Sequence, residues 1–156
     1  MELIRKATVE DGRDIASRIR QADRREALAY TGVPPSILLP YAAKEPNTLV
    51  GLGPTGRPEV IFGVDPVPGT PMGMIWLMAT KELEEDKVLQ MTFLRSCKTQ
   101  LNRFLEEYPV LGNYLDERNK LHLKWVRWLG FSILKRIPNW GVEGRPFLQI
   151  VITRKD

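Results

Sequence analysis

The chain has little to build a covalent or metal-held scaffold from: one cysteine, Cys97, and one histidine, His122, in 156 residues. A lone cysteine excludes an internal disulfide and a thiolate zinc cage. A lone histidine without a companion cluster gives no ligand spacing, so no metal is expected. Between Lys120 and Lys124, His122 reads as a surface residue. Long apolar runs are missing too. The longest, Met72 to Ala79, falls far short of the roughly 20 residues that a membrane span needs. Met1-Glu2-Leu3-Ile4-Arg5 has neither a signal-peptide nor a transit-peptide pattern, so an intracellular protein is expected. Internal repeats and low-complexity tracts are absent, and a single domain over 1–156 is expected.

What is present is an ordinary globular composition, 43% hydrophobic and 27% charged, enough to bury one core and too apolar for disorder. The net charge of +4 permits an acidic partner such as nucleic acid without requiring one. Leu3 to Ala7 reads as a strand. Thr8 with Asp11 three residues on then opens a helix, and Ala22 to Tyr30 gives another. Pro34-Pro35-Ser36 starts a short helical turn. Thr48 to Leu52 and Glu59 to Val64 form a hairpin about Gly53-Pro54-Thr55-Gly56-Arg57. Asp65 to Pro71 is a loop, and Met72 to Ala79, apolar on both faces, is a buried central strand. One long helix is expected from Glu82 to Tyr108, on the stripe Leu89, Phe93, Cys97, Leu101, Phe104, Tyr108. A strand at Val110 to Leu115, a helix at Lys120 to Leu129 ended by Gly130, and strands at Phe131 to Ile137 and Phe147 to Thr153 complete the order. Antiparallel strands with helices grouped between them mean α+β, with a mixed, mostly antiparallel sheet of six or seven strands.

Asn119-Lys120-Leu121-His122-Leu123-Lys124-Trp125-Val126-Arg127-Trp128-Leu129-Gly130-Phe131 resembles the segment of GNAT (N-acetyltransferase) proteins that runs from an asparagine through a short helix to a Leu-Gly-Phe strand entry. Leu111 to Asn119 and Trp125 to Phe131 resemble, more narrowly, the phage internal virion protein A family. So do Phe62-Gly63-Val64, Pro71 to Thr80, Phe93-Leu94-Arg95-Ser96 and Tyr108-Pro109. That is a GNAT-like family of bacteriophages and prophages, associated with the particle or its assembly. The resemblance implies a GNAT-like scaffold serving as a virion or assembly component, with a phage or host protein as partner. It also implies a location in the host cytoplasm or the packaged virion. The alternative it implies is an acyl-CoA-dependent N-acetyltransferase acting on a host or phage amine.

Site residues divide along the same line. The stretch matching the GNAT phosphate loop, Ala79 to Lys87, has no glycine and carries Glu82, Glu84, Glu85 and Asp86 where a pyrophosphate would sit, so no cofactor is expected on the first reading. Acetyl-CoA is the cofactor on the alternative, with Thr80 and Asn119 as the residues against it; Asn119 also reads as a helix cap. The GNAT acid position falls on Val126, so Tyr114 and Asp116 are the substitute catalytic candidates, with Asp116 and Glu117 equally suited to pairing with Arg118 or Lys120. Partner-binding candidates are Trp140, in the loop Pro138 to Pro146 without a core role, and Lys124 and Arg127 on the basic face of the helix. Trp125 and Trp128 are expected to form one packed ridge, and Cys97 to be buried.

Overall fold

The computed structural model describes residues 3–155. Thirteen elements follow in chain order: β1 (Ile4–Lys6), α1 (Val9–Ser17), α2 (Gln21–Thr31), α3 (Pro35–Ala42), β2 (Leu49–Leu52), β3 (Pro58–Pro66), β4 (Met72–Ala79), α4 (Lys81–Glu85), α5 (Lys87–Glu107), β5 (Val110–Asp116), α6 (Lys120–Leu129), β6 (Ser132–Trp140) and β7 (Arg145–Thr153). The strands make one sheet in the order β1-β2-β3-β4-β5-β7-β6. Every pairing is antiparallel except β4 with β5. The α+β expectation is met.

The start of α1 follows the sequence closely: Thr8 accepts from the Asp11 N–H, and Asp11 accepts from the Thr8 N–H, a reciprocal box that satisfies two helix-end donors. At the other end of the chain, Gly130 closes α6 at φ 107°, a conformation that suits glycine. The expected single helix from Glu82 to Tyr108 is in fact two. Asp86 leaves helical geometry and caps α5 through the Leu89 N–H, so the acidic run forms a separate one-turn helix, α4. The other boundaries shift less: β3 runs on to Pro66, and β6 reaches Trp140.

Side chains alternate across the sheet. Leu111, Phe62, Ile75 and Leu77 meet α5 and α6 in one core, whereas Ile61, Val50, Trp76 and Met78 meet α1 and α3 in the other. Trp125 and Phe131 are buried in the first core, as is Cys97, whose thiol is pushed up by burial. The aromatic ridge is split, however. Trp128 is exposed, and the Lys98 ammonium lies 4.2 Å from its ring centroid.

Candidate active site at the strand splay

The parallel pair β4–β5 holds together only at its beginning. Met72, Gly73 and Met74 pair with Val110, Leu111 and Gly112, and then the strands part. At the fork, Asn113 turns its amide into the gap and donates to the Ile75 carbonyl at 2.6 Å. Strand alternation gives Leu77 the same edge as Ile75, so its N–H and C=O face the opening.

The wide end of the fork is spanned by charge. Asp23 on α2 accepts from the Ala79 N–H at the end of β4 at 2.8 Å, and from the Asn119 amide after β5 at 2.9 Å. Arg20 donates to Asp23 at 2.8 Å and to the Asn119 oxygen at 3.3 Å, while its guanidinium lies 5.2 Å from the Trp125 ring centroid. Arg20, Asp23 and Asn119 are each 1% exposed, so these charges meet one another rather than water. The connector Arg18-Ile19-Arg20 is held there because Ile19 bridges Thr80 like a short strand.

Glu26, one turn further along α2, reaches into the fork. Its carboxylate accepts from the Asp116 N–H at 2.8 Å. Burial, and then the negative charge of Asp23, push its carboxyl up to about 8. His122 faces it, with Nδ1 3.8 Å from the Glu26 carboxylate and no hydrogen-bond partner. Burial holds this imidazole below its ordinary range, which favours the neutral form at pH 7.

Between the pairing and the charged bridge lies a cavity of about 330 Å³ lined from both faces of the sheet. Trp76, Met74, Leu38 and Tyr30 line it on the α2–α3 side. Leu94, Cys97, Leu101 and Leu129 line it between α5 and α6. Its charged and amide-bearing side chains are Glu26, Asp65, Gln100, Asn113 and His122, with the hydroxyls of Tyr30, Tyr41 and Tyr114. A largely apolar passage lined by two carboxyls of raised pKa, Glu26 and Asp65, has the character of a ligand site.

Several expectations change here. His122 is buried, not a surface residue, and with Asp23 and Glu26 it has ligand-type atoms within 4.8 Å, a cluster that spacing along the chain does not reveal. The Asp23 oxygens are already engaged by Arg20, Asn119 and Ala79, so this cluster is part of the charged bridge. Asn119 sits at the α6 cap position but makes no side-chain cap bond; its side chain belongs to Asp23 and Arg20. Thr80 is fully buried, capping α4 through Leu83 and donating to Glu59, and so is closed to a cofactor. Asp116 is 1% exposed. Burial opposes its charge, but the Arg118 guanidinium and N–H outweigh that and hold it below the usual carboxylate range, which is wrong for a base.

Of the other candidates, Glu117 pairs with Arg136. Tyr114 does line the cavity, stacked 3.9 Å from Trp140. Trp140 is therefore not a free loop aromatic: it ends β6, half-buried against Tyr114 and Tyr30. Lys124 and Arg127 are exposed on α6, without an ion pair among the described residues. Sequence reasoning missed Arg20, Asp23 and Glu26. The available signal was two acids on the same helical stripe as Ala27 and Tyr30, where a purely solvent-facing pair would lie opposite.

No protein-family model matches the chain, and no curated protein matches its sequence. Solved structures do match. A ribosomal-protein-alanine N-acetyltransferase from Brucella melitensis superposes with a TM-score of 0.71 at 16% identity, over 98% of this chain and 100% of that one. The fold is that of the GNAT acetyltransferases. A GNAT-family acetyltransferase from Bacillus anthracis gives 0.70 at 9% identity, covering 96% and 93%. The ribosomal-protein-S18-alanine N-acetyltransferase of Escherichia coli gives 0.66 at 10%, covering 98% and 94%. At such identities it is the GNAT fold that is shared, and the chemistry has to be argued from this chain's residues.

Proposed function

We propose that the chain is an N-acyltransferase that takes an acyl thioester into the splay cavity and transfers the acyl group to an amine, with Glu26 as general base. The observation that carries this reading is the open apolar passage at the fork with a carboxyl of pKa about 8 on its wall. Such a base is partly ionised near neutral pH and still basic enough to take an ammonium proton. The Leu77 N–H, turned into the fork, is the donor for the thioester carbonyl oxygen as charge develops on it. The amine nitrogen forms the new C–N bond, its proton goes to Glu26, the C–S bond breaks, and the thiolate takes a proton from solvent. Val126 stands where GNAT enzymes commonly have a tyrosine acid, so the departing sulfur has no built donor at that position.

The donor's phosphates gain nothing from the loop after β4. Glu82 and Glu84, turned partly toward Arg18 and Arg20, remain half-exposed beside Glu85 and Asp86. The α5 N-terminus is already capped by Asp86. Affinity therefore resides in the acyl and pantetheine portion. Calorimetric titration with acetyl-CoA and with S-acetylpantetheine tests this: the two should bind within about threefold of each other. Binding of neither removes the cavity from consideration, and a preference of more than tenfold for acetyl-CoA restores a phosphate site.

A second reading, an interaction component of a phage particle with a GNAT-like scaffold, is favoured by the same acidic loop together with exposed Lys124, Arg127 and Trp128 on α6. Loss of particle yield on reversing Lys124 and Arg127 to glutamate, with Glu26→Gln harmless, would support it.

A further inference from the structure

We infer that the acceptor is a primary amine carried on a flat apolar body, and that it enters from the α2–α3 side; this rests on the acyltransferase reading above. The two sides of the cavity differ. Between α5 and α6 the walls are buried core side chains, among them Leu94, Cys97, Leu101, Phe104 and Phe131. On the other side the floor is an indole. Trp76 lies on β4 opposite Gly63 of β3, where an added Cβ would come within 3.1 Å of the indole nitrogen. The absence of a side chain at Gly63 is what lets the ring lie flat on the sheet. Trp76 is half-exposed, and Leu38, Tyr41, Met74 and Tyr30 rise around it. A planar group has a stacking partner there, and hydrated polar groups have few.

The charge requirement is equally specific. Among the described residues two carboxyls line this passage, Glu26 and, on β3, Asp65. Glu26 faces Asp23 of its own helix, Asp116 of β5 and His122 of α6, and beyond them Arg20 and Arg118. A single ammonium beside Glu26 supplies the hydrogen-bond donor that the carboxylate lacks toward His122, and the rings of Tyr30 and Trp76 supplement it by cation–π attraction. A polyamine would carry three or more ammonium groups into a passage where, among the described residues, Asp65 is the one carboxyl besides Glu26. A peptide would have to strand its amides against Leu38 and Met74 without partners.

Binding without any donor tests this directly, using 2-phenylethylamine, 2-phenylethanol, spermidine and an alanine-initiated tripeptide on the full chain, followed by calorimetry and Trp fluorescence. The amine should bind at least tenfold tighter than each of the others. Glu26→Gln and Trp76→Leu should each weaken it at least tenfold, with melting temperature checking that both variants fold. Spermidine or the tripeptide binding more tightly than phenylethylamine overturns the inference, as does equal binding of the alcohol. If acyl donors bind and the tripeptide alone is acylated, the acceptor class is wrong and the acyltransferase stands. If phenylethylamine binds and no acyl donor does, the amine site stands and the transferase reading falls.

Discussion

Replacing Arg20 by methionine is expected to lower the stability of the fold by about 3–5 kcal/mol, the usual cost of removing one partner from a buried ion pair. The guanidinium is enclosed by Asp23, the Asn119 oxygen and the Trp125 ring. Methionine fills much of the volume but leaves the Asp23 carboxylate buried without its cation. In a domain of this size the melting temperature should fall by roughly 6–20 °C. The double change Arg20→Met with Asp23→Leu removes both charges and should recover a minor part of the loss at most, because the Ala79 N–H and the Asn119 amide then lose the Asp23 oxygens. Arg118→Ala is the contrast. Its partner Asp116 is buried, but Arg118 itself is about a third exposed, and about 1 kcal/mol or less is expected. A fully stable Arg20→Met protein, measured by denaturant titration, would mean that the charged bridge does not hold the fork.

The frame of this protein was legible because local rules agreed with the fold. Thr8 and Asp11 mark a helix start, Gly130 marks a helix end, and the apolar run at Met72 needs burial on both faces. The site was not legible, for two physical reasons. Arg18 and Arg20 flank a short connector whose pairing with Thr80, 61 positions away from Ile19, leaves no trace in local periodicity. Likewise Asn119 and His122 are polar residues beside lysines, and only the approach of α2 turns them into buried partners of Asp23 and Glu26. The break at Asp86 was misread because a run of acids suits the start of any helix, and the sequence does not say whether one helix or two begins there.

Glu26→Gln is expected to make the protein more stable at alkaline pH. The folded carboxyl holds its proton up to about 8, whereas an ordinary glutamate releases it near 4.5. Between those values the folded state binds a proton that the unfolded state has lost, so stability falls as pH rises, by about 1.4 kcal/mol per pH unit. His122 works the other way, but only below 6.5, the ordinary value from which burial lowers it. The clean window is therefore pH 6.5 to 8, over which wild type should lose about 2 kcal/mol relative to the glutamine variant. Glutamine can still accept from the Asp116 N–H, so the comparison isolates the charge. Parallel stability curves for the two proteins would place the Glu26 carboxyl in its ordinary range and deny it the role of base.

The most direct measurement is the release of free thiol from S-acetylpantetheine in the presence of a panel of primary amines, followed from pH 6 to 9. Wild type should show amine-dependent release that rises through pH 8, as Glu26 ionises, and levels above it. Glu26→Gln should be slower by 10² to 10⁴, the usual contribution of a general base. Amine-dependent release of equal rate in the two proteins would remove Glu26 from the chemistry, and no release by wild type with any amine would contradict the acyltransferase reading itself.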